Sequence, residues 1–83
     1  MNPELKFPVV AHHRLIVNAA ARDDAFLQAL FAGFDLASPV AEAHASASGK
    51  FVSFNLSVRL KDREEMARLD AAIANVPGLK MCL

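Results

Sequence analysis

The chain has 83 residues, 54% of them hydrophobic, with nine Lys plus Arg balancing nine Asp plus Glu. That length predicts one domain spanning 1–83, near the lower size limit for a self-sufficient core, and that composition excludes disorder. A formal net charge of zero argues against a non-specific polyanion binder, whose affinity comes from neutralising many phosphates, and lowers the long-range barrier to self-association.

Asn2-Pro3 and Phe7-Pro8 remove backbone donors, so Met1 to Val10 reads as irregular, with Phe7 as a lid at the core edge. His12 to Ala19 reads as a first strand: its β-branched centre favours extended chain, with Leu15 and Val17 on one face and Arg14, Ile16 and Asn18 on the other. Ala20 to Phe34 turns helical. Asp23 and Asp24 suit the amide-rich first turn, and Phe26, Leu27, Leu30, Phe31 and Phe34 recur at helical spacing as an apolar stripe.

Pro39 to Ser48 alternates at low side-chain volume and reads as a second strand, with Ala41, Ala43, Ala45 and Ala47 on one face and Val40, Glu42, His44 and Ser46 on the other. Ser48-Gly49 supplies a hairpin turn. The third strand, Gly49 to Leu60, is the most regular stretch of the chain. Val52, Phe54, Leu56, Val58 and Leu60 alternate with Ser53, Asn55, Ser57 and Arg59, the period of a strand with one buried face. Lys61 to Val76 reads as the second helix, opened by a capping box of Asp62 with Glu65 and carrying Met66, Leu69, Ile73 and Val76 on one side. Glu64 and Arg68, four apart, are expected to pair on its solvent side. After Pro77-Gly78, a last strand should turn Leu79, Met81 and Leu83 inward and Cys82 to the opposite face.

The order strand, helix, strand, strand, helix, strand is that of the α+β ferredoxin-like βαββαβ sandwich, a four-stranded antiparallel sheet with two helices on one face. Right-handed crossovers put strands one and three in the centre. An α/β sandwich of another topology is the alternative.

Residues 49–53 (Gly49-Lys50-Phe51-Val52-Ser53), the helix start Asp62-Arg63-Glu64-Glu65 and the close Val76-Pro77-Gly78-Leu79-Lys80-Met81-Cys82-Leu83 resemble the small bacterial YbeD-like family, also called DUF493 or UPF0250. Ser46-Ala47-Ser48-Gly49 and Phe7-Pro8 carry the resemblance towards the front of the chain. The resemblance implies a ferredoxin-like domain similar to the ACT-like regulatory domains of amino-acid enzymes, with a suggested regulatory or lipoate-related role and no catalytic motif to transfer. Where the family ends strand one on a lysine-valine-methionine-glycine type sequence, this chain has Leu15-Ile16-Val17-Asn18-Ala19.

The chemistry-bearing residues form no recognisable catalytic pattern, and no enzyme activity or cofactor is expected. Adjacent His12 and His13 should point to opposite faces, and His44 should share a face with Glu42. Convergence of His13, Glu42 and His44 would make a weak zinc site, but exposed rim histidines are the simpler reading, since a metal needs three or four ligands. Cys82 has no sequence-local base and, as the single cysteine, no intrachain disulfide partner. With no secretory leader and no apolar run approaching the roughly 20 residues of a membrane span, a cytoplasmic setting is expected.

Phe51-Val52-Ser53-Phe54 matches the tail of the strand-three signature of RNA-recognition domains. The face rule counts against that reading: Phe51 points to the open side and Phe54 to the core, and strand one offers Ile16 rather than a second ring. The open face instead presents Ile16, Phe51 and Val40 among Arg14, Asn18, Ser53, Asn55, Ser57, Arg59, His44 and Cys82, an apolar centre with a polar surround. A non-enzymatic regulatory or protein-interaction domain follows, with a homo-oligomer or a partner protein on that face or on a strand edge. The alternative is an ACT-like small-metabolite sensor, holding its ligand between domains or at the turn from Asn18 to Asp24. Single-stranded RNA ranks below both.

Overall fold

The computed structural model describes residues 6–83, so the expectation attached to Asn2-Pro3 lies outside the described residues. The elements are β1 (Val9–Asn18), a 3-10 turn (Ala19–Ala21), α1 (Asp24–Phe31), β2 (Asp35–Ala45), β3 (Phe51–Leu60), α2 (Arg63–Ala74) and β4 (Leu79–Cys82). The strands make one antiparallel sheet in the order β2-β3-β1-β4 with both helices on one side, the ferredoxin-like arrangement.

The alternation of β3 fixes the layers. Val52, Phe54, Leu56, Val58 and Leu60 turn under the helices with Leu15 and Val17 of β1, and pack with Leu27, Phe31, Leu69 and Ile73. Phe31, Leu15, Leu56 and Leu69 are almost wholly removed from water, each such side chain contributing roughly 1.5–3 kcal/mol. β1 runs in unbroken register with β3 from Val9↔Leu60 to Asn18↔Phe51. It therefore starts earlier than the sequence suggests: Pro8 does not delay the strand, because Val9 and Val10 already pair with Leu60 and Arg59. Phe7 lies half-buried against the core.

Both helices are shorter than their apolar patterns. α1 begins only at Asp24, with Asp23 as the cap whose carboxylate accepts from the Phe26 amide at 3.0 Å. Phe26 falls off the buried stripe and is 41% exposed. At α2 the Asp62 carboxylate accepts from the Glu65 amide at 2.8 Å, while the Glu65 side chain reaches back to the Lys61 amide at 3.2 Å rather than to that of Asp62. Arg68 pairs with Glu65 at 3.6 Å, not with Glu64, because its guanidinium leans over the Phe34 ring at 5.6 Å.

The edge strands depart most from expectation. In β2 the register with β3 slips three times, between Leu36 and Ser38, Ser38 and Ala41, and Glu42 and His44. Each extra residue reverses the side-chain alternation that follows it. The alanine face predicted for this strand therefore does not exist: Ala41 opposes Asn55 and His44 opposes Ser53 on the open side, whereas Glu42 opposes Phe54 and Ala45 opposes Val52 on the helix side. Val40, expected on the open face, is 5% exposed in the helix-side core. In β4 one slip at Lys80 pairs Leu79 with Val17 but Met81 with Ile16 and Cys82 with Leu15. Leu79 thus packs inward while Met81 turns to the open face and Cys82 to the helix side, the reverse of the simple alternation. Leu83 exchanges both backbone hydrogen bonds with Arg14, at 2.9 and 2.8 Å, and stands on the open side with it.

Candidate functional site

The surface of the sheet that the helices leave uncovered is the candidate site. β1 supplies Val10, His12, Arg14, Ile16 and Asn18, and β3 supplies Phe51, Ser53, Asn55, Ser57 and Arg59 opposite them. Those nine expected positions, Arg14, Ile16, Asn18, His44, Phe51, Ser53, Asn55, Ser57 and Arg59, do share this face. Two expected members do not: Val40 is in the core, and Cys82 lies at the helix-side rim. In their place the slip in β4 adds Met81, 48% exposed, beside Ile16, and Leu83, 63% exposed, beside Arg14. Val10, 42% exposed, lies on the same face towards the other end of β1. Ile16, Phe51, Met81 and Leu83 therefore form the apolar group for which the sequence alternation expects Ile16, Phe51 and Val40. The sequence carries no glycine, proline or turn residue at Lys80 that would mark the slip.

Polar side chains around this centre are tied to each other. The Ser57 hydroxyl and His12 Nδ1 are 2.6 Å apart, the Ser53 hydroxyl donates to the His44 carbonyl at 3.1 Å, and Arg14 Nε donates to Asn55 Oδ1 at 3.3 Å. Arg59 pairs with Asp35 across the strands at 2.9 Å. Between Arg14, Ile16, His44, Phe51, Asn55 and Lys80 the face dips into an open depression of about 690 Å³. A smaller one of about 380 Å³ adjoins it under Leu83, His12 and Ser57.

The proposed zinc trio is not assembled. His44 faces the open side, whereas His13, opposite Leu56, and Glu42, opposite Phe54, face the helices. Among the described residues no three His, Cys, Asp or Glu side chains gather closely enough to hold a metal ion. Glu42 instead receives Arg22 at 2.7 Å, and Arg22 also binds Asp24 at 2.8 Å and lies over the Phe54 ring at 5.2 Å. This group fastens the start of α1 to β2. The hydrogen bond from Arg22 holds the Asp24 carboxyl below its usual range, and the two carboxylates raise the Arg22 guanidinium in turn.

Cys82 has a neighbour that the sequence does not reveal: its Sγ is 3.6 Å from His13 Nδ1. Partial burial, with Asp70 nearby, nevertheless pushes the thiol up from its ordinary value, so His13 does not convert it into a ready nucleophile. The turn from Asn18 to Asp24 is likewise occupied by its own groups. Asn18 Oδ1 accepts from the Ala20 amide at 3.0 Å, and Ala21 packs against Gly78 so tightly that a Cβ on Gly78 would lie 2.6 Å from the Ala21 methyl. No helix among the described residues is long and apolar enough to cross a membrane.

Comparison with known proteins places this geometry in a family. The family model described as "Protein of unknown function (DUF493)" matches residues 2–83. The fold is similar to the solution structure of protein HP0495 from H. pylori, with a TM-score of 0.78 at 20% identity, covering 99% of this chain and 88% of that one. At that identity the likeness speaks for the fold alone. No curated protein matches. The chain belongs to the DUF493 family.

Proposed function

We propose that this member of the DUF493 family is a small, non-enzymatic regulatory domain that works in the cytoplasm by holding a partner protein on its open sheet face. One observation carries the reading: Ile16, Phe51, Met81 and Leu83 form an apolar centre on a strand surface that neither α1 nor α2 covers, bordered by hydrogen-bonded polar side chains. Apolar centre and polar rim are the anatomy of a protein contact. A metabolite sensor working at the turn from Asn18 to Asp24 has less support, because the polar groups of that turn are satisfied internally and its interior is filled by Ala21 against Gly78. RNA has less support still, since Phe51 is the one phenylalanine ring on this face among the described residues and stacking on one such ring contributes only ~1–3 kcal/mol.

Site-specific photocrosslinking tests the reading. A photoreactive phenylalanine analogue in place of Phe51 or Met81 should give discrete protein adducts in cells, whereas the same analogue in place of Phe26, which is exposed on the helix layer, should not. Equal adducts from both faces, or none from the open face, would defeat it.

A further inference from the structure

The chemistry of the partner can be read from where the fold puts its charges. Within the strands, Arg14, Arg59 and Lys80 are basic and lie on the open side, and the acid there, Asp35, is held by Arg59 at 2.9 Å. The carboxylates are gathered on the opposite layer: Asp23, Asp24, Asp62, Glu64, Glu65 and Asp70 lie in or at the start of the two helices, and Glu42 faces them from the sheet. Arg22, Arg63 and Arg68 lie in that same layer and offset three of these seven carboxylates, so a chain that is neutral as a whole carries its acidic excess there and its basic excess on the open side. The 690 Å³ depression brings this to a point, since the ionisable side chains lining it are Arg14, His44 and Lys80, with no carboxylate among them. Neither Arg14 nor Lys80 forms an ion pair among the described residues.

We propose that the open face receives an acidic segment of a partner protein in which carboxylates alternate with large apolar side chains. The carboxylates meet Arg14 and Lys80, and an apolar side chain lies over Ile16 and Phe51. This inference rests on the reading of the open face as a contact surface and adds the chemistry of what it contacts. Two other occupants fit less well. A second copy related by a two-fold axis through the depression would set Arg14 and Lys80 against the same two cations, and like charges facing each other disfavour association. A small carboxylate would remain largely in water, because sites for small ligands enclose most of the ligand surface and this depression is shallow and open.

Fluorescence anisotropy with the full chain tests the proposal, using short labelled peptides. One probe alternates glutamate with leucine and valine, a second has lysine for each glutamate, a third has serine for each apolar residue, and a fourth is mixed-sequence single-stranded RNA. The acidic apolar peptide should bind best, and its affinity should fall as salt is raised. The double reversal Arg14→Glu with Lys80→Glu should weaken it about tenfold and strengthen the lysine peptide, since close charge pairs across an interface couple specifically. Both side chains sit on the surface, so an unchanged melting temperature shows that the variant is folded; Arg59→Glu, outside the depression, should change binding less. Equal binding of acidic and basic peptides, indifference to the double reversal, or RNA bound as tightly as the acidic peptide would each overturn the proposal. Absence of binding by every peptide, while the open face still forms crosslinked adducts, would overturn the acidic partner and leave the contact surface standing. Absence of adducts removes the surface itself.

Discussion

Gly78 sets where β4 begins, and substituting it by alanine separates two energetic costs. Its φ of 68° lies in the left-handed region, where a Cβ costs ~1–2 kcal/mol. The new methyl would also stand 2.6 Å from Ala21 Cβ, so either the 3-10 turn or the start of β4 must move, and such overpacking costs about 1–3 kcal/mol more. Gly49 provides the control: its φ is 74°, yet an added Cβ meets nothing within 4 Å. Urea denaturation followed by circular dichroism should therefore give Gly49→Ala a loss of about 1–2 kcal/mol and Gly78→Ala about 2–5 kcal/mol, a large share of the ~5–15 kcal/mol that typically holds a domain together. Adding Ala21→Gly to Gly78→Ala should recover most of the difference, less the ~0.5–1 kcal/mol that a flexible glycine costs. Because Asn18 donates to the Gly78 carbonyl at 2.8 Å, the crowded variant should also shift the amide resonances of Met81 and Leu83. Equal losses for the two alanines, or no rescue by Ala21→Gly, would refute the close-packing argument.

The two phenylalanines of β3 should behave oppositely: Phe54→Ala should cost about 3–5 kcal/mol in the same denaturation assay, whereas Phe51→Ala should cost much less but impair crosslinking and peptide binding. Asp62→Ala removes the cap of α2 and should lower stability by ~1 kcal/mol. The folded-state pKa of Asp24 is depressed by Arg22, so its contribution is present above the ordinary carboxyl value and lost as pH falls through the folded value. Melting temperature against pH should accordingly fall less steeply below about pH 4 for Asp24→Asn than for the native chain. The Cys82 thiol is pushed up by partial burial first and by Asp70 second, so it should react slowly with a thiol reagent at neutral pH and faster in Asp70→Asn, a difference read directly from the labelling rate.

The parts of the fold that were legible in the sequence are those where burial makes alternation strict. β3 has helices over one face and strands on both sides, so a slip of one residue would expose Phe54 and Leu56 and the pattern cannot drift. Its partner β1 inherits that register through ten consecutive pairs, which is why the β1 and β3 side chains of the candidate face were correctly grouped. β2 and β4 each have a neighbour on one side only. There a bulge is tolerated, and period-two counting fails at Val40, Glu42, Met81, Cys82 and Leu83. The polarity of the molecule was hidden for a different reason: counting charges along a chain gives their sum, and only the layer assignment reveals that one side holds Arg14 and Lys80 while the other holds the helix carboxylates.

The same irregularities favour recognition by the face over recognition by an edge. A regular edge strand invites a further strand through its unpaired amides and carbonyls, and bulges, prolines and short length discourage it. β2 has three register slips and Pro39, which carries no amide proton. β4 is four residues long and has its own slip at Lys80. That slip also turns Met81 outward beside Ile16, so the feature that interrupts the edge enlarges the apolar centre of the face. Deleting Lys80 should separate the two effects: Leu79 stays opposite Val17 and Met81 becomes its regular neighbour opposite Ile16, so the edge loses its bulge while Met81 keeps its place on the open face, seen as nuclear Overhauser contacts between Met81 and Ile16. If Met81 lost its contacts with Ile16 in a folded Lys80 deletion, Lys80 would not be the extra residue of the slip and the face assigned to Met81 would be wrong.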